Sequence, residues 1–122
     1  MPLTILIALA GVMGAAAIGL AAAAAHVAPG AGLDSAAYML LFHASAVLGG
    51  AALMQQGMLW RPLAFAVLAG FVVGAALFSG DVALLILGGH RLFPFAAPSG
   101  GFILIASWLG LAGAAIIAPA RG

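Results

Sequence analysis

Residues 3–27 read LTILIALAGVMGAAAIGLAAAAAHV, a run of 25 residues that contains no Asp, Glu, Lys or Arg. A helix needs about 20 mostly apolar residues to cross a membrane, because the hydrocarbon layer is about 30 Å thick and each residue adds about 1.5 Å. The run therefore predicts a membrane-spanning helix. Since no Lys or Arg precedes it, we expect the span to be kept rather than removed as a signal peptide.

The composition of the whole chain agrees with that prediction. Of its 122 residues, 67% are hydrophobic and 4% are charged, whereas about 25% of the residues of a typical soluble domain are charged. The charged side chains are Asp34, Arg61, Asp81, Arg91 and Arg121. Because so few charges cannot cover a water-facing surface, the chain is predicted to be an integral membrane protein.

Composition also excludes several kinds of site. A net charge of +1 with no lysine gives no nucleic-acid-binding footprint. The absence of cysteine excludes disulfides and thiolate metal ligands. Three histidines without Cys or Glu show no recognisable metal-ligand spacing, so no metal site is predicted.

Three further apolar runs follow the first one. The four spans lie at about 3–27, 36–54, 63–87 and 100–117. Turns rich in Pro and Gly separate them, and Asp34 or Ser35 is suited to cap the second helix. Because the connections are short, consecutive helices should be antiparallel. We therefore predict an all-α integral membrane fold, an antiparallel four-transmembrane-helix bundle that forms a single membrane domain over residues 1–122.

Arginine positions predict the orientation of this bundle. With four spans, both termini lie on one side of the membrane, together with the connection that carries Arg61. Arg61 and Arg121 are then on that side, and Arg91 is on the other. The positive-inside rule therefore places both termini in the cytoplasm. Trp60, Arg61 and Arg91 are predicted anchors at the membrane interfaces.

Polar side chains from three helices are predicted to share one layer of the bundle. Counted from the adjoining turns at about 1.5 Å per residue, His43 lies about 12 Å deep, and Asp81 and Trp108 lie about 13 Å deep. His26 enters the same half of the bundle, nearer to the surface. A polar cluster of these four residues is the candidate site.

Two interpretations of the cluster stay open. An ionisable side chain at that depth normally faces the bundle interior and finds a partner there, so we expect His43 to be hydrogen-bonded to a group on another helix, with Asp81 the leading candidate and Trp108 packed nearby. The cluster is then either a pocket that handles a proton or a ligand, or a structural bond between helices. A bond of that kind contributes about 0.6 to 2 kcal/mol in a membrane.

Small residues recur at spacings that favour close helix packing. Gly70 and Gly74 form a GxxxG pair in the third span, and Ser45 and Gly49 form a similar pair in the second. We expect both pairs to pack helices together without specifying a particular dimer.

No cofactor is predicted, although two histidines have spacings or positions that suit one. Ala22 and His26 have the Ala-x-x-x-His spacing with which light-harvesting helices bind chlorophyll, and a buried histidine such as His43 or His26 can bind haem. Ser79, His43 and Asp81 include the residue types of a nucleophilic triad, but no nucleophile elbow or oxyanion signal accompanies them. We therefore expect a protein that is not an enzyme.

The order of short motifs resembles a known family. Histidine ends the first span, FHA (42–44) lies in the second, and LFSG (77–80) lies in the third. PSGG (98–101) opens the fourth span, and Trp108 follows it. This order resembles the small bacterial membrane proteins called domain of unknown function 423, to which eukaryotic transmembrane protein 256 is similar.

The resemblance covers nearly the whole chain. The matching positions are Ala25, His26, His43, Ala44, Phe78 to Gly80, Pro98, Gly100, Gly101 and Trp108. The positions that depart from the family pattern are Met39, Leu40, Phe42, Asp81 and Ser107. Much of the polar lining that the family pattern implies around His43 is therefore missing. The resemblance implies a four-span fold in a bacterial inner membrane, and it implies no activity.

Three functions are compatible with these features. Small size, smooth helix faces and the lack of a complete catalytic set favour an accessory or scaffold subunit of a larger inner-membrane complex. The first alternative is a small-molecule or proton-coupled carrier that uses an intramembrane His–Asp pair, and the second is a binder of a pigment, quinone or haem. The expected partners are membrane lipid and other membrane subunits or a second copy of the chain.

Overall fold

The computed structural model describes residues 2–120. It contains α1 (Leu3–His26), α2 (Leu33–Gln55), α3 (Arg61–Gly88) and α4 (Ala96–Ile116). All four helices are long and apolar enough to cross a membrane. The predicted all-α four-helix fold is therefore confirmed. Arg121, which the orientation prediction used, lies outside the described residues.

The connection between α1 and α2 reverses the chain direction at two glycines. Gly30 and Gly32 have φ angles of 76° and 89°, in the left-handed region that glycine tolerates best. Gly32 is the N-cap of α2, so the predicted cap at Asp34 or Ser35 is wrong. Asp34 instead lies in the first helical turn, where its negative charge interacts favourably with the helix dipole. The Ser35 hydroxyl donates back to the Gly32 carbonyl at 2.9 Å.

The last helix begins at Ala96, earlier than the predicted start at residue 100. Pro98 is its third residue, a position where the missing N–H would have no intrahelical partner in any case. The helix therefore accommodates Pro98, which the sequence analysis assigned to the connection. Phe95 caps this start with a left-handed φ of 68°.

The two middle helices form the centre of the bundle. Each helix packs against its neighbour in the sequence, and α1 also touches α3. Within residues 2–120, α4 makes no close backbone contact with α1 or α2. Large, fully buried side chains fill the interior: Leu6, Leu33, Val47, Met54, Leu68 and Phe71. The outer helices α1 and α4 consequently leave most of their apolar surface facing outward.

Glycines bring α3 and α4 into close contact. A Cβ added at Gly74 would lie 2.9 Å from the Gly100 carbonyl oxygen, and one added at Gly100 would lie 2.6 Å from the Gly74 carbonyl oxygen. A Cβ at Gly70 would meet the Ser107 hydroxyl. The GxxxG pair of α3 is thus used inside the protein, against α4.

The second small-residue pair does not pack inside the bundle. Ser45 and Gly49 are exposed, and a Cβ at Gly49 would meet no neighbour within 4 Å. Gly50 takes the expected role, since a Cβ there would meet the Leu68 side chain. Adjacent helical residues point about 100° apart, so Gly50 faces α3 and Gly49 does not. Close packing by Ser45 and Gly49 stays a prediction, for a contact outside the bundle.

Candidate functional site

A hydrogen bond between two helices marks the middle of the bundle. The indole Nε1 of Trp108, on α4, donates to Nε2 of His43, on α2, at 3.0 Å. His43 is buried, with 5% of its surface exposed. The interior position and the interhelical bond expected for His43 are therefore present.

The bonding pattern fixes the tautomer of His43. Tryptophan can donate a hydrogen bond but cannot accept one, so Nε2 must carry no proton. The other ring nitrogen, Nδ1, then carries the proton and donates to the Met39 carbonyl one turn earlier on α2, at 2.6 Å. Both nitrogens of the neutral imidazole are used, and neither is left to bind an external group.

Phe71 completes an aromatic cluster with His43 and Trp108. The Phe71 ring centroid, on α3, lies 5.5 Å from that of His43 and 4.7 Å from that of Trp108. The His43 and Trp108 rings meet edge to face, with centroids 5.8 Å apart. Three helices thus meet in this aromatic cluster, and its two polar side chains, His43 and Trp108, bond to each other.

Asp81 belongs to a second polar group, at the end of the bundle. Its side chain is fully buried on α3. Oδ2 accepts a bond from Nη1 of Arg91 at 2.7 Å, and Oδ1 accepts one from the backbone N–H of Leu92 at 2.9 Å. We call these three residues the Asp81 clasp. It fastens the connection between α3 and α4 to α3 about two turns before the end of that helix, and it compensates the cost of burying a carboxylate.

The expected bond between His43 and Asp81 is wrong. The α3 residue beside His43 is Phe71, and Asp81 follows it by ten residues, or about 15 Å along the helix axis. The depths predicted for His43 and Asp81 were counted from the ends of their own spans. They do not reveal this separation, because α3 is longer than its neighbours and its ends are not level with theirs. The predicted cluster is two groups rather than one.

The residue types of a nucleophilic triad do not converge either. The Ser79 hydroxyl is buried and donates to the Ala36 carbonyl of α2 at 2.8 Å. His43 bonds to Trp108, and Asp81 bonds to Arg91. Each side chain thus serves a different contact, and Ser79 is a further link between α2 and α3.

His26 lies outside both polar groups. It is the last residue of α1 and is exposed. Binding of haem by His43 would require Trp108 to give up its bond, whereas His26 is directly accessible to an outside group. Within residues 2–120, no three His, Asp or Glu side chains gather in a way that could hold a metal ion.

The predicted interfacial anchors have distinct surroundings. Trp60 is partly exposed, and its backbone N–H donates to the Ala114 carbonyl of α4 at 2.9 Å. The Arg61 guanidinium lies over the Phe65 ring, 5.4 Å from the centroid, a cation–π geometry. Arg91 is half exposed and is also part of the Asp81 clasp.

Sequence analysis missed two features of the site. Nothing in the sequence distinguishes Phe71 from the other apolar residues of α3. The sequence does contain a signal for the clasp, since Asp81 and Arg91 are opposite charges only ten residues apart in a chain with few charges. Opposite charges in an apolar medium are expected to pair when the chain allows it.

Comparison with known proteins identifies the family without adding an activity. No curated protein and no solved structure has significant similarity to the chain. The profile of the family described as "Protein of unknown function (DUF423)" matches residues 20–101, which include His43, the Asp81 clasp and the glycine contact between α3 and α4. With two thirds of its length matched, the chain belongs to the DUF423 family of proteins of unknown function.

Proposed function

We propose that the protein is an accessory or scaffold subunit of a larger complex in the bacterial inner membrane. The observation that carries the proposal is the state of the buried polar groups. Every fully buried side-chain nitrogen and oxygen atom in the part of the chain that the structure describes has a hydrogen-bond partner within the chain. Polar groups committed to internal bonds support a structural role for the bundle rather than chemistry or transport.

The outward faces supply the surface that such a role requires. On α1, Gly11 and Gly19 are exposed, and a Cβ added at either would meet no neighbour within 4 Å. Ser45 and Gly49 give α2 a second outward face of small residues. Small residues let helices approach closely in a membrane, so these faces favour contact with other subunits or with a second copy.

The carrier alternative has less support in the geometry. It relied on a direct His43–Asp81 pair, and these residues bond to different partners. The cofactor-binding alternative retains the exposed His26. We propose that the chain is not an enzyme, in line with the separate contacts of Ser79, His43 and Asp81.

The complex can be tested with bulky residues on the outward faces. Gly11→Leu and Gly49→Leu add side chains where the protein itself has room. We expect one or both to shift the assembly to lower mass in native mass spectrometry after gentle solubilisation, while thermal stability is unchanged. The control is Leu109→Ala, which shortens an exposed side chain on α4. A monomer of the unaltered protein at every detergent level would refute the proposal.

We also propose that both termini face the cytoplasm. The proposal rests on Arg61 and Arg121 on the side of the termini, against Arg91 on the other. Reporter fusions at Gln56 and at the C terminus should both give a cytoplasmic signal, and a fusion at Gly89 should give the opposite one. A periplasmic signal from the first two would reverse the orientation.

A further inference from the structure

A cavity opens where the α3–α4 connection meets the ends of these two helices. Its volume is about 980 Å³, near the upper end of the roughly 300 to 1,000 Å³ usual for small-molecule sites. Most of its wall is aromatic or aliphatic, with contributions from Phe78, Val82, Leu85, Phe93, Phe95 and Gly101. One charged side chain, that of Arg91, is part of the wall.

The Asp81 clasp holds the Arg91 guanidinium in place. Nη1 is bonded to the fully buried Asp81, while half of the Arg91 side chain remains exposed. A guanidinium has five N–H donors in a rigid plane, and one of them makes this bond. The remaining donors are therefore available to an anion at the mouth of the cavity, already oriented by the buried carboxylate.

The wall of the cavity combines a charge with apolar surface. The Arg91 guanidinium is bonded to Asp81, which follows Phe78 by three residues, or about 4.5 Å along α3. The cavity thus places a cation directly beside an apolar wall, which continues along α3 to Phe78. A cation next to an apolar wall matches an amphiphile with a negative head group and a hydrocarbon tail.

We propose that this cavity binds one anionic phospholipid. The phosphate accepts hydrogen bonds from Arg91, and the upper part of an acyl chain lies against Phe78 and Gly101, on the side of the cavity away from the end of α3. A phospholipid suits the site because the head must stay at the interface while the tail continues into the bilayer. This site is separate from the aromatic cluster and goes beyond the accessory role.

Lipid titration followed by native mass spectrometry tests the proposal. The purified protein in a non-ionic detergent is titrated separately with dioleoyl phosphatidylglycerol, dioleoyl phosphatidylcholine and oleate. We expect one phosphatidylglycerol to bind at least about tenfold more tightly than phosphatidylcholine, the ratio that a charge-assisted hydrogen bond supplies. Equal affinity for the two phospholipids would overturn anion recognition. Tighter binding of oleate than of phosphatidylglycerol would overturn the phospholipid assignment.

Two variants test the head and tail contacts separately. Arg91→Gln should weaken phosphatidylglycerol binding about tenfold and leave phosphatidylcholine binding little changed. Gly101→Leu keeps Arg91 but fills the cavity, and α4 tolerates the change because a Cβ there meets no neighbour within 4 Å. This variant should bind both phospholipids more weakly. If Arg91→Gln does not fold, Gly101→Leu still decides, since unchanged phosphatidylglycerol affinity in that variant overturns the site.

Arg61→Gln is the matched control. It removes the same charge at the opposite end of α3, away from the cavity. Phosphatidylglycerol affinity should be unchanged in this variant. An equal loss in Arg61→Gln and Arg91→Gln would show general attraction of anionic lipid to arginine, and it would overturn a specific site.

Discussion

Trp108 donates its indole N–H to His43 across 3.0 Å, and this bond joins two helices whose backbones make no close contact within residues 2–120. Trp108 as a whole is 45% exposed. Its polar atom therefore points into the bundle while much of its apolar surface faces outward. The bond therefore ties α4 directly to α2, although among the described helices α4 packs its backbone closely only against α3.

We expect the His43–Trp108 bond to contribute measurably to stability. His43→Leu and Trp108→Phe should each lower the free energy of unfolding by about 0.6 to 2 kcal/mol, the range for interhelical bonds in membranes. The double variant should lose less than the sum of the single losses, because both changes remove the same bond. Reversible unfolding in mixed detergent micelles measures all three.

Trp60→Phe is the control for that cycle, since it makes the same substitution in the other tryptophan. It should change stability by less than about 0.5 kcal/mol. Strictly additive losses in the double variant would contradict coupling through the bond. Loss of a partner or ligand in His43→Leu at unchanged stability would show that His43 is a functional site and not a structural one.

The fold could be predicted from the sequence because membrane spans are set by length and polarity. Four apolar runs separated by Pro and Gly suffice for four helices, and the main error, at Pro98, arises because proline is tolerated in the first helical turn. The partner of His43 could not be predicted in the same way. The depth of a residue along its helix gives neither the rotation of that helix nor its height relative to the other helices. Depth alone therefore predicts Asp81 beside His43, where Phe71 lies.

The Asp81 clasp should respond unequally to loss of its two charged members. Arg91→Ala leaves a fully buried carboxylate bonded to backbone N–H groups alone, and we expect a loss of about 3 kcal/mol in unfolding free energy. Asp81→Asn keeps an acceptor for the Leu92 N–H, and the half-exposed Arg91 can reach water, so the loss should be about 1 kcal/mol. An equal or larger loss in Asp81→Asn would contradict this order.

The Ser79 hydroxyl should contribute more to the free energy of unfolding than the Ser45 hydroxyl, although both are helical serines that donate to a carbonyl. The Ser79 bond joins α3 to Ala36 of α2 and is buried, whereas the Ser45 hydroxyl bonds to Leu41 on its own helix and is exposed. Ser79→Ala should cost about 1 kcal/mol in unfolding free energy, and Ser45→Ala should cost almost nothing. Unfolding in mixed micelles compares them directly, and equal costs would show that the Ser79 bond does not hold the helices together.

Adjacent glycines in α4 should differ sharply in their tolerance of a methyl group. A Cβ at Gly100 would lie 2.6 Å from the Gly74 carbonyl oxygen and 2.7 Å from the Phe78 backbone nitrogen, so the helices must move apart. We expect Gly100→Ala to lower the free energy of unfolding by about 1 to 3 kcal/mol, as overpacking usually does. Gly101→Ala meets no neighbour within 4 Å and replaces glycine in a helix, so it should be neutral or stabilising by up to about 1 kcal/mol. Thermal unfolding of the two variants side by side is the measurement, and a Gly100→Ala protein as stable as Gly101→Ala would mean that α3 and α4 are not in glycine contact.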